Sequence, residues 1–442
     1  MIAEVRLWDM LVGTLSLNRD RRTSVFRFDS EFLKKGLDIA PIRMPLDSID
    51  ASKVHTFIPE DESDFRTYKG LPEFVADSLP DSFGNRVINA WLVKQGRNEN
   101  DFTSIERLCY TGKRGVGALE YFPAIGGDDQ VVDVDVDELV RLANDIFDER
   151  KGLHTNFSKG DEALMSIVRV GASAGGARPK AVIAYNEKTG DVKSGQIADI
   201  PQEFEHWIIK LDGVSKSEEL GLSSGMGRIE YAYYLMAKDC HIEMSECKIL
   251  EEGGRAHFMT RRFDRRCGNE KVFMQSLNAI AHMNYNKIET HYYEQLFSVM
   301  RRIHLPYSAT EQQFRRMVFN VVAKNCDDHT KNVSFLMDKT GKWSLSPAYD
   351  VTYAYDPFSY WNPRHLMGIN GKFENFTRKD FEKIGKETGV KNWGAILEQV
   401  CDVVSRWPEY AQSAGVEKPL YQKIGAVHQT HMNMNVITLK SN

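Results

Sequence analysis

Asp327 and Asn332 lie five residues apart in the run Asn325-Cys-Asp-Asp-His-Thr-Lys-Asn332, and Leu345-Ser-Pro-Ala-Tyr-Asp350 adds a carboxylate after a short predicted hairpin. This spacing suits phosphoryl transfer, in which one side chain orients the hydroxyl nucleophile while another holds a metal ion. The reaction needs positioning and charge neutralisation more than covalent chemistry from the protein. Carboxylate and carboxamide oxygens are the donors that hard Mg²⁺ accepts. By spacing to Asn332, Asp327 takes the base position. Asp328 is its rival, or a structural hydrogen-bond partner. His329 and Lys331 lie between, His329 as a brace for the loop and Lys331 near a terminal phosphate. A metal site of another kind or a capping turn would also use Asp-Asp-His, but Cys326 and His329 alone are too few for zinc.

A second constellation is Gly171-Ala-Ser-Ala-Gly-Gly-Ala-Arg-Pro-Lys180, between predicted strands 166–170 and 181–185. Glycines let backbone N–H groups approach phosphate oxygens. A Walker A loop is excluded, because Lys180 is followed by Ala181 and no helix opens there. Strand, Gly loop, strand is the arrangement of a kinase phosphate lid, or of an ordinary glycine-rich hairpin. The third is Lys210 in Trp207-Ile-Ile-Lys-Leu211. Alternation puts residues 207, 209 and 211 on one face and Lys210 on the other, where it contacts phosphate or simply faces solvent at a sheet edge. Glu230, on a predicted helix from Met226 to Ala237, is a candidate partner for Lys210 or a solvated helix residue. Gly loop, Lys, Asp…Asn and then Asp is kinase order, and the order carries more weight than any one motif.

The elements that must position these groups are legible in outline. Val5-Arg-Leu-Trp and Val12–Leu17 form a predicted hairpin, followed by strands at 23–28 and 118–123 and a helix at 82–94. Gly126-Gly-Asp-Asp-Gln130 reads as a linker. Asp133-Val-Asp-Val-Asp137 is not a calcium loop, since Glu138 and Asn144 stand where Gly and Glu are required. A helix at 139–151 precedes strands at 206–211, 247–250 and 257–260. Helices then dominate at 289–302, 309–324, 378–388, 393–405 and 417–439. Strands first and helices second predict an α+β, two-lobed fold. The domains expected are a β-rich N-terminal unit (1–125), an N-lobe with the Gly-rich loop (126–265) and a helical C-lobe with the catalytic loop (266–442).

The bulk composition allows this. With 442 residues, 42% hydrophobic and 11% aromatic, the chain can build more than one core. A net charge of −5 argues against the whole chain binding nucleic acid, leaving only local patches such as Lys372, Arg378 and Lys379, which are equally read as solvated surface. Six scattered cysteines without a Cys-x-x-Cys pair point to a reducing compartment. No signal peptide or apolar run of spanning length is expected from the sequence.

Ser173–Lys180, Trp207–Leu211, Arg262-Phe-Asp-Arg265, Cys326–Asn332 and Ser346-Pro-Ala-Tyr-Asp350 together resemble the HipA toxins of bacterial type II toxin–antitoxin systems. Leu79-Pro-Asp81, Gly115-Val-Gly-Ala118 and Leu366-Met-Gly-Ile-Asn-Gly371 extend the resemblance over nearly the whole chain. It implies a phosphoinositide-kinase-like fold and a Ser/Thr kinase using ATP and Mg²⁺, phosphorylating a protein such as an aminoacyl-tRNA synthetase. It also implies a small helix-turn-helix antitoxin, HipB-like, through which the protein reaches operator DNA, and a bacterial cytoplasmic location, nucleoid-associated when so bound. Carried over by motif, Asp327 is the base, with Asn332 and Asp350 on Mg²⁺. Gly175, Gly176, Ala177, Arg178, Pro179 and Lys180 form the phosphate loop, and Lys210 contacts phosphate. Arg261, Arg262 and Phe263 form an adenine hinge acting mainly through backbone, and His329, Lys331 and Tyr349 complete the nucleotide site. Ser173 takes the place of an autophosphorylated serine, whose added dianion would repel ATP phosphates and inactivate the enzyme. Arg178-Pro179, Arg261 and Asp328 depart from the family's type member, which has Gln-Glu, an acid and Gly there. Two other functions remain open on the same residues: a weakly catalytic nucleotide-binding corepressor acting with the antitoxin, and a small-molecule or lipid kinase.

Overall fold

The computed structural model describes residues 1–98, 101–125, 133–147, 178–195, 200–214, 225–266 and 269–434. They divide into two compact units. One is built from Met1–Gly227, Glu246–Gln275 and Leu336–Lys342, the other from Arg228–Ser245, Ser276–Phe335 and Trp343–Asn442.

The first unit contains two five-stranded sheets. In the N-terminal sheet, β1 (Ile2–Leu7), β2 (Met10–Leu17), β3 (Ser24–Phe28), β4 (His55–Phe57) and β5 (Leu119–Phe122) lie in the order β4-β3-β2-β1-β5. Strict alternation buries Ala3, Val5 and Leu7 on one face of β1. The β1–β2 hairpin closes through Trp8 and Asp9, both at positive φ (50° and 66°), the twist that a two-residue hairpin turn requires. The sequence pattern continues the first strand through Trp8. The structure instead uses that residue for the turn, and its indole N–H donates to the Lys271 carbonyl at 2.8 Å.

The second sheet is antiparallel: β6 (Lys180–Tyr185), β7 (Val192–Ser194), β8 (Glu205–Lys210), β9 (Cys247–Glu252) and β10 (Arg255–Arg261), in the order β7-β6-β8-β10-β9. Ala181, Ile183, Trp207, Ile209, Leu211 and Met259 give it an apolar face. Phe83 and Val87 of the helix Ser82–Lys94, and Leu139, Val140 and Ala143 of the helix Val136–Phe147, pack against that face. Burying side chains of this size contributes about 2–3 kcal/mol each, so this layer is the main adhesive of the sheet.

Two sequence motifs far apart in the chain meet in this unit. Arg262 Nε and Nη2 donate to the Asp264 carboxylate at 2.9 and 2.7 Å, and Arg265 Nη1 donates to it at 2.8 Å. The N–H of Gly117 donates to the same carboxylate at 2.7 Å, while the two arginines donate to the carbonyls of Gly115 and Gly117. Gly117 sits at φ +76°, and a Cβ there would crowd the backbone of Met274, which is why glycine serves. Burial alone would raise the Asp264 carboxyl, but Arg262 and Arg265 outweigh it and hold it well below the usual carboxylate range.

The second unit is mainly helical. Its described helices are the short Leu277–Ile280, then Tyr293–Arg302, Tyr307–Val322, Arg378–Thr388, Trp393–Ser405, Trp407–Ser413 and Lys418–Met434, with most of Met226–Asp239. Helix Tyr307–Val322 is central, burying Phe314, Met317, Val318, Phe319, Val321 and Val322 and packing on Trp393–Ser405. Trp407–Ser413, absent from the sequence-based expectation, is a separate turn of helix with Pro408 in its first turn, where a missing N–H costs nothing. Glu230 is buried in Met226–Asp239 at 1% exposure, unlike a solvated helix glutamate.

Replacing Asp264 with Asn leaves two arginines buried without their counter-ion. Asp264→Asn is expected to lower unfolding free energy by roughly 3–5 kcal/mol in urea titrations. Because the native carboxyl is depressed, its contribution is full above about pH 4 and is lost as pH falls further, so the gap between wild type and variant should hold from pH 6 to pH 4 and narrow below it.

Candidate active site

The loop that carries Asp327 follows helix Tyr307–Val322. Lys324 at φ +56° turns the chain away, and the loop then pairs with a later strand-like segment: Cys326 N–H donates to Ala354 O, and Ala354 N–H to Lys324 O. Asn332 ends a short 3-10 turn that starts at His329, with its N–H donating to the His329 carbonyl at 2.9 Å. Thr330 is buried and donates to the Met283 carbonyl.

The two adjacent carboxylates have opposite environments. Asp328 is 3% exposed and accepts from Tyr293 OH at 2.9 Å, His365 Nδ1 at 3.0 Å, and the N–H groups of Leu366 and Met367 at 2.8 and 3.4 Å. Tyr293 OH accepts in turn from Asn320 Nδ2, whose Oδ1 accepts from Asn325. His365 Nε2 faces Cys326 Sγ at 3.6 Å. Burial disfavours the imidazolium, but the Cys326 sulfur and the Asp328 carboxylate outweigh it, and the His365 pKa is raised to about 10. Cys, His and Asp in this order resemble an activated thiol. Cys326, His365 and Asp328 are all buried, however, so the arrangement anchors the loop instead of meeting a substrate.

Asp327 has a different setting. Its side chain is 35% exposed and its Oδ1 accepts from the Trp361 indole N–H at 2.6 Å, with His329 Nε2 at 3.7 Å. Its backbone carbonyl accepts from Asn332 Nδ2 at 2.8 Å. That bond turns the Asn332 amide so that Oδ1 is buried without a hydrogen-bond partner. A buried acceptor left without a donor costs about 1–3 kcal/mol unless something else satisfies it. Asn332 and Asp350 line the same cavity of about 30 Å³, with Asp328 and His329. Asp350 is held at φ +53°, a conformation that Asp tolerates better than most residues and that clusters at functional sites. Ser346, Pro347 and Ala348 lead into it: Arg316 donates to the Ser346 carbonyl at 2.8 Å, and Ala348 N–H to Glu243 O at 2.8 Å. An orphaned carboxamide oxygen beside a carboxylate fits a hard divalent cation such as Mg²⁺.

The remaining sequence candidates distribute as follows. His329 is buried and completes a triangle of rings with Tyr285 and Trp361, at 5.4 and 6.2 Å between centroids. Lys331 Nζ lies 5.3 Å from the Tyr285 ring centroid, and its carbonyl accepts from Tyr349 OH at 2.6 Å, so the Tyr349 hydroxyl braces the loop backbone. In the other unit, Lys180 and Lys210 stand directly opposite each other across β6 and β8. Lys210 also pairs with Phe258 in register, its ammonium 5.6 Å from that ring centroid. Lys180 is 2% exposed, with Asp81 Oδ2 at 3.8 Å. Like charges opposite each other in a ladder are destabilising alone and suit a bound polyanion. At the expected hinge, the N–H groups of Arg261 and Arg262 already donate to Glu246 O and His206 O, both at 2.9 Å. Arg178 and Pro179 open the described stretch before β6. Ser173, Gly175, Gly176 and Ala177 lie outside the described residues, as do the expected strand 166–170 and the linker 126–130. Lys372 is paired with Asp380 at 2.9 Å and Arg378 with Glu398 at 2.9 Å.

Trp361, His365 and Tyr293 escaped the sequence reading. They lie 34, 37 and 35 residues from the aspartates they bond, and no local spacing marks them.

A sheet-rich unit with paired lysines and a helical unit with an Asp…Asn loop and a later Asp define a two-lobed, protein-kinase-like fold. Residues 3–122 match the HipA N-terminal domain, and residues 172–407 match the HipA-like C-terminal domain. The chain belongs to the HipA family of serine/threonine-kinase toxins. It is 21% identical over 406 residues to the serine/threonine-protein kinase toxin HipA of Shewanella oneidensis, covering 84% of this chain and 79% of that protein. It superposes on the HipA chain of the solved complex of Shewanella oneidensis HipA, HipB and operator DNA with a TM-score of 0.65 and 16% identity, covering 99% of this chain and all of that one. The Helicobacter pylori proinflammatory kinase CtkA aligns with a TM-score of 0.34 and 11% identity, over 53% of this chain and 89% of its own.

The Asp328–His365 pair yields a stability prediction with a defined sign. Because the native imidazole is raised from 6.5 to about 10, its contribution is full below about pH 6.5 and is lost as pH rises toward 10. His365→Asn should lower unfolding free energy by roughly 3 kcal/mol at pH 6. The gap from wild type should close progressively by pH 10 in chemical denaturation.

Proposed function

We propose that this protein transfers the terminal phosphoryl group of ATP to a serine or threonine hydroxyl of a protein. Asp327 is the base that orients and deprotonates that hydroxyl. Asn332 and Asp350 hold Mg²⁺, and Lys210 and Lys180 meet the phosphates together with the Gly-rich loop. The observation that carries this reading is the Asn332 amide. Its nitrogen is tied to the backbone of the base, and its buried oxygen is left for a cation beside Asp350. A bound Mg²⁺ would neutralise phosphate charge. The chain's own residues do the rest: Asp327 presents a solvent-accessible oxygen, and the buried Asp328 network keeps the loop from yielding when a substrate arrives.

Family membership extends the reading to partners. A HipB-like antitoxin restrains the enzyme and brings it to operator DNA, as the complex of the Shewanella protein suggests. An aminoacyl-tRNA synthetase is the proposed target, with self-inactivation through phosphate on Ser173. Among the described residues no helix is long and apolar enough to cross a membrane.

Intact mass and peptide mapping after incubation with Mg²⁺ and ATP test the central claim. Wild type should gain phosphate on Ser173, Ser173→Ala should gain none there, and Asp327→Ala should transfer at least about 100-fold more slowly. Asp350→Asn keeps a residue that tolerates positive φ, so its loss of activity would report the lost carboxylate and not backbone strain. Asp327→Ala transferring phosphate at the wild-type rate would refute the assignment of the base.

A further inference from the structure

Asp327 is held by a residue that belongs to neither the catalytic loop nor the segment leading to Asp350. Trp361 comes 34 residues later and donates its indole N–H to Oδ1 at 2.6 Å. Its ring sits half-buried, with the His329 ring 6.2 Å and the Tyr285 ring 6.4 Å away, centroid to centroid. Its backbone N–H donates to Ser359 Oγ at 3.0 Å, and the neighbouring Asn362 Nδ2 to the Ala354 carbonyl at 3.1 Å. The Ala354 N–H bonds the catalytic loop at Lys324. The indole is thus tied to the same backbone that carries the base. No described residue donates to Oδ2 of Asp327.

Resting on the kinase reading above, we propose that Trp361 is a positioning residue for phosphoryl transfer. Its N–H fixes Oδ1 and so leaves Oδ2 as the oxygen that receives the acceptor hydroxyl. A carboxylate with one oxygen anchored cannot rotate freely about χ2. The reacting oxygen is therefore placed before the substrate arrives, and the entropy of ordering it is not charged to the transition state. A lone aspartate on a partly exposed loop would lack this restraint. The flanking aromatics Phe358 and Tyr360 are 94% and 88% exposed. Trp361 alone of the three turns inward, to a polar atom, as an indole does when its N–H has a function to serve.

The experiment uses the full-length protein labelled with 5-fluorotryptophan, in which Trp361→Phe assigns one of the seven fluorine resonances. Asp327→Ala should move that resonance in the nucleotide-free protein, because the hydrogen bond is lost. In steady-state assays with Mg²⁺–ATP and myelin basic protein as a generic acceptor, Trp361→Phe should lower kcat by roughly 10- to 100-fold with KM for ATP unchanged. Site-specific benzothienylalanine at position 361, which keeps the ring shape and replaces N–H with sulfur, should give the same loss and guards against a folding defect in the phenylalanine variant. A Trp361 resonance indifferent to Asp327→Ala, or benzothienylalanine protein with wild-type kcat, overturns the proposal while leaving the kinase reading intact. A rise in kcat overturns it too, by making the indole a cap on the base. Wild-type transfer by Asp327→Ala would instead sink the kinase assignment itself, a result separable from the fluorine measurement.

Discussion

Taking a carboxylate out of water costs several kcal/mol unless donors replace the water it loses, and the loop around Asp328 is organised by that requirement. The donors come from three places: a tyrosine on one helix, a histidine 37 residues downstream, and two backbone N–H groups beside that histidine. None can move far without stranding the charge. The loop therefore has essentially one shape, and its neighbouring Asp327 inherits a fixed position while remaining open to solvent. Adjacent residues of identical type thus take opposite tasks because the alternation of the chain sends one inward and the other outward.

The same device recurs in the other unit. Asp264 gathers two arginines and a glycine N–H, joining the segment after β10 to the turn before β5. In both places a buried anion acts as a staple between segments distant in sequence. Such staples add little net stability compared with apolar packing, but they penalise every alternative arrangement heavily.

Much of this was legible beforehand, and the parts that were not share a cause. The Asp327–Asn332 spacing and the alternation around Lys210 are local patterns, so the sequence displays them directly. The β1–β2 hairpin was visible from its alternation, yet Trp8 reads as strand because its turn conformation depends on φ, which the residue type does not announce. The facing of Lys180 and Lys210 depends on strand register. The donors to Asp328 and Asp327 depend on long-range contacts to positions 293, 361 and 365, and nothing in the local pattern around a Trp, a His or a Tyr points to an aspartate more than 30 residues away. Spacing puts Asp327 at the base position with Asp328 as its rival, and burial separates the two: Asp328 lies inside a network of donors while Asp327 stays partly exposed.

The path of the chain through the two units has a consequence for how the protein comes into being. The sheet-rich unit takes its last strands from residues 246–275 and a closing piece from 336–342, and the helical unit takes Arg228–Ser245 from the middle of the chain. No single cut therefore yields both units whole, and each waits for segments made late in synthesis. The first is incomplete until residue 342 has been made, and Asp350 follows it. A nascent chain accordingly has Asp327 before it has the whole scaffold. Asp350 therefore joins a chain whose sheet-rich unit already has all its segments.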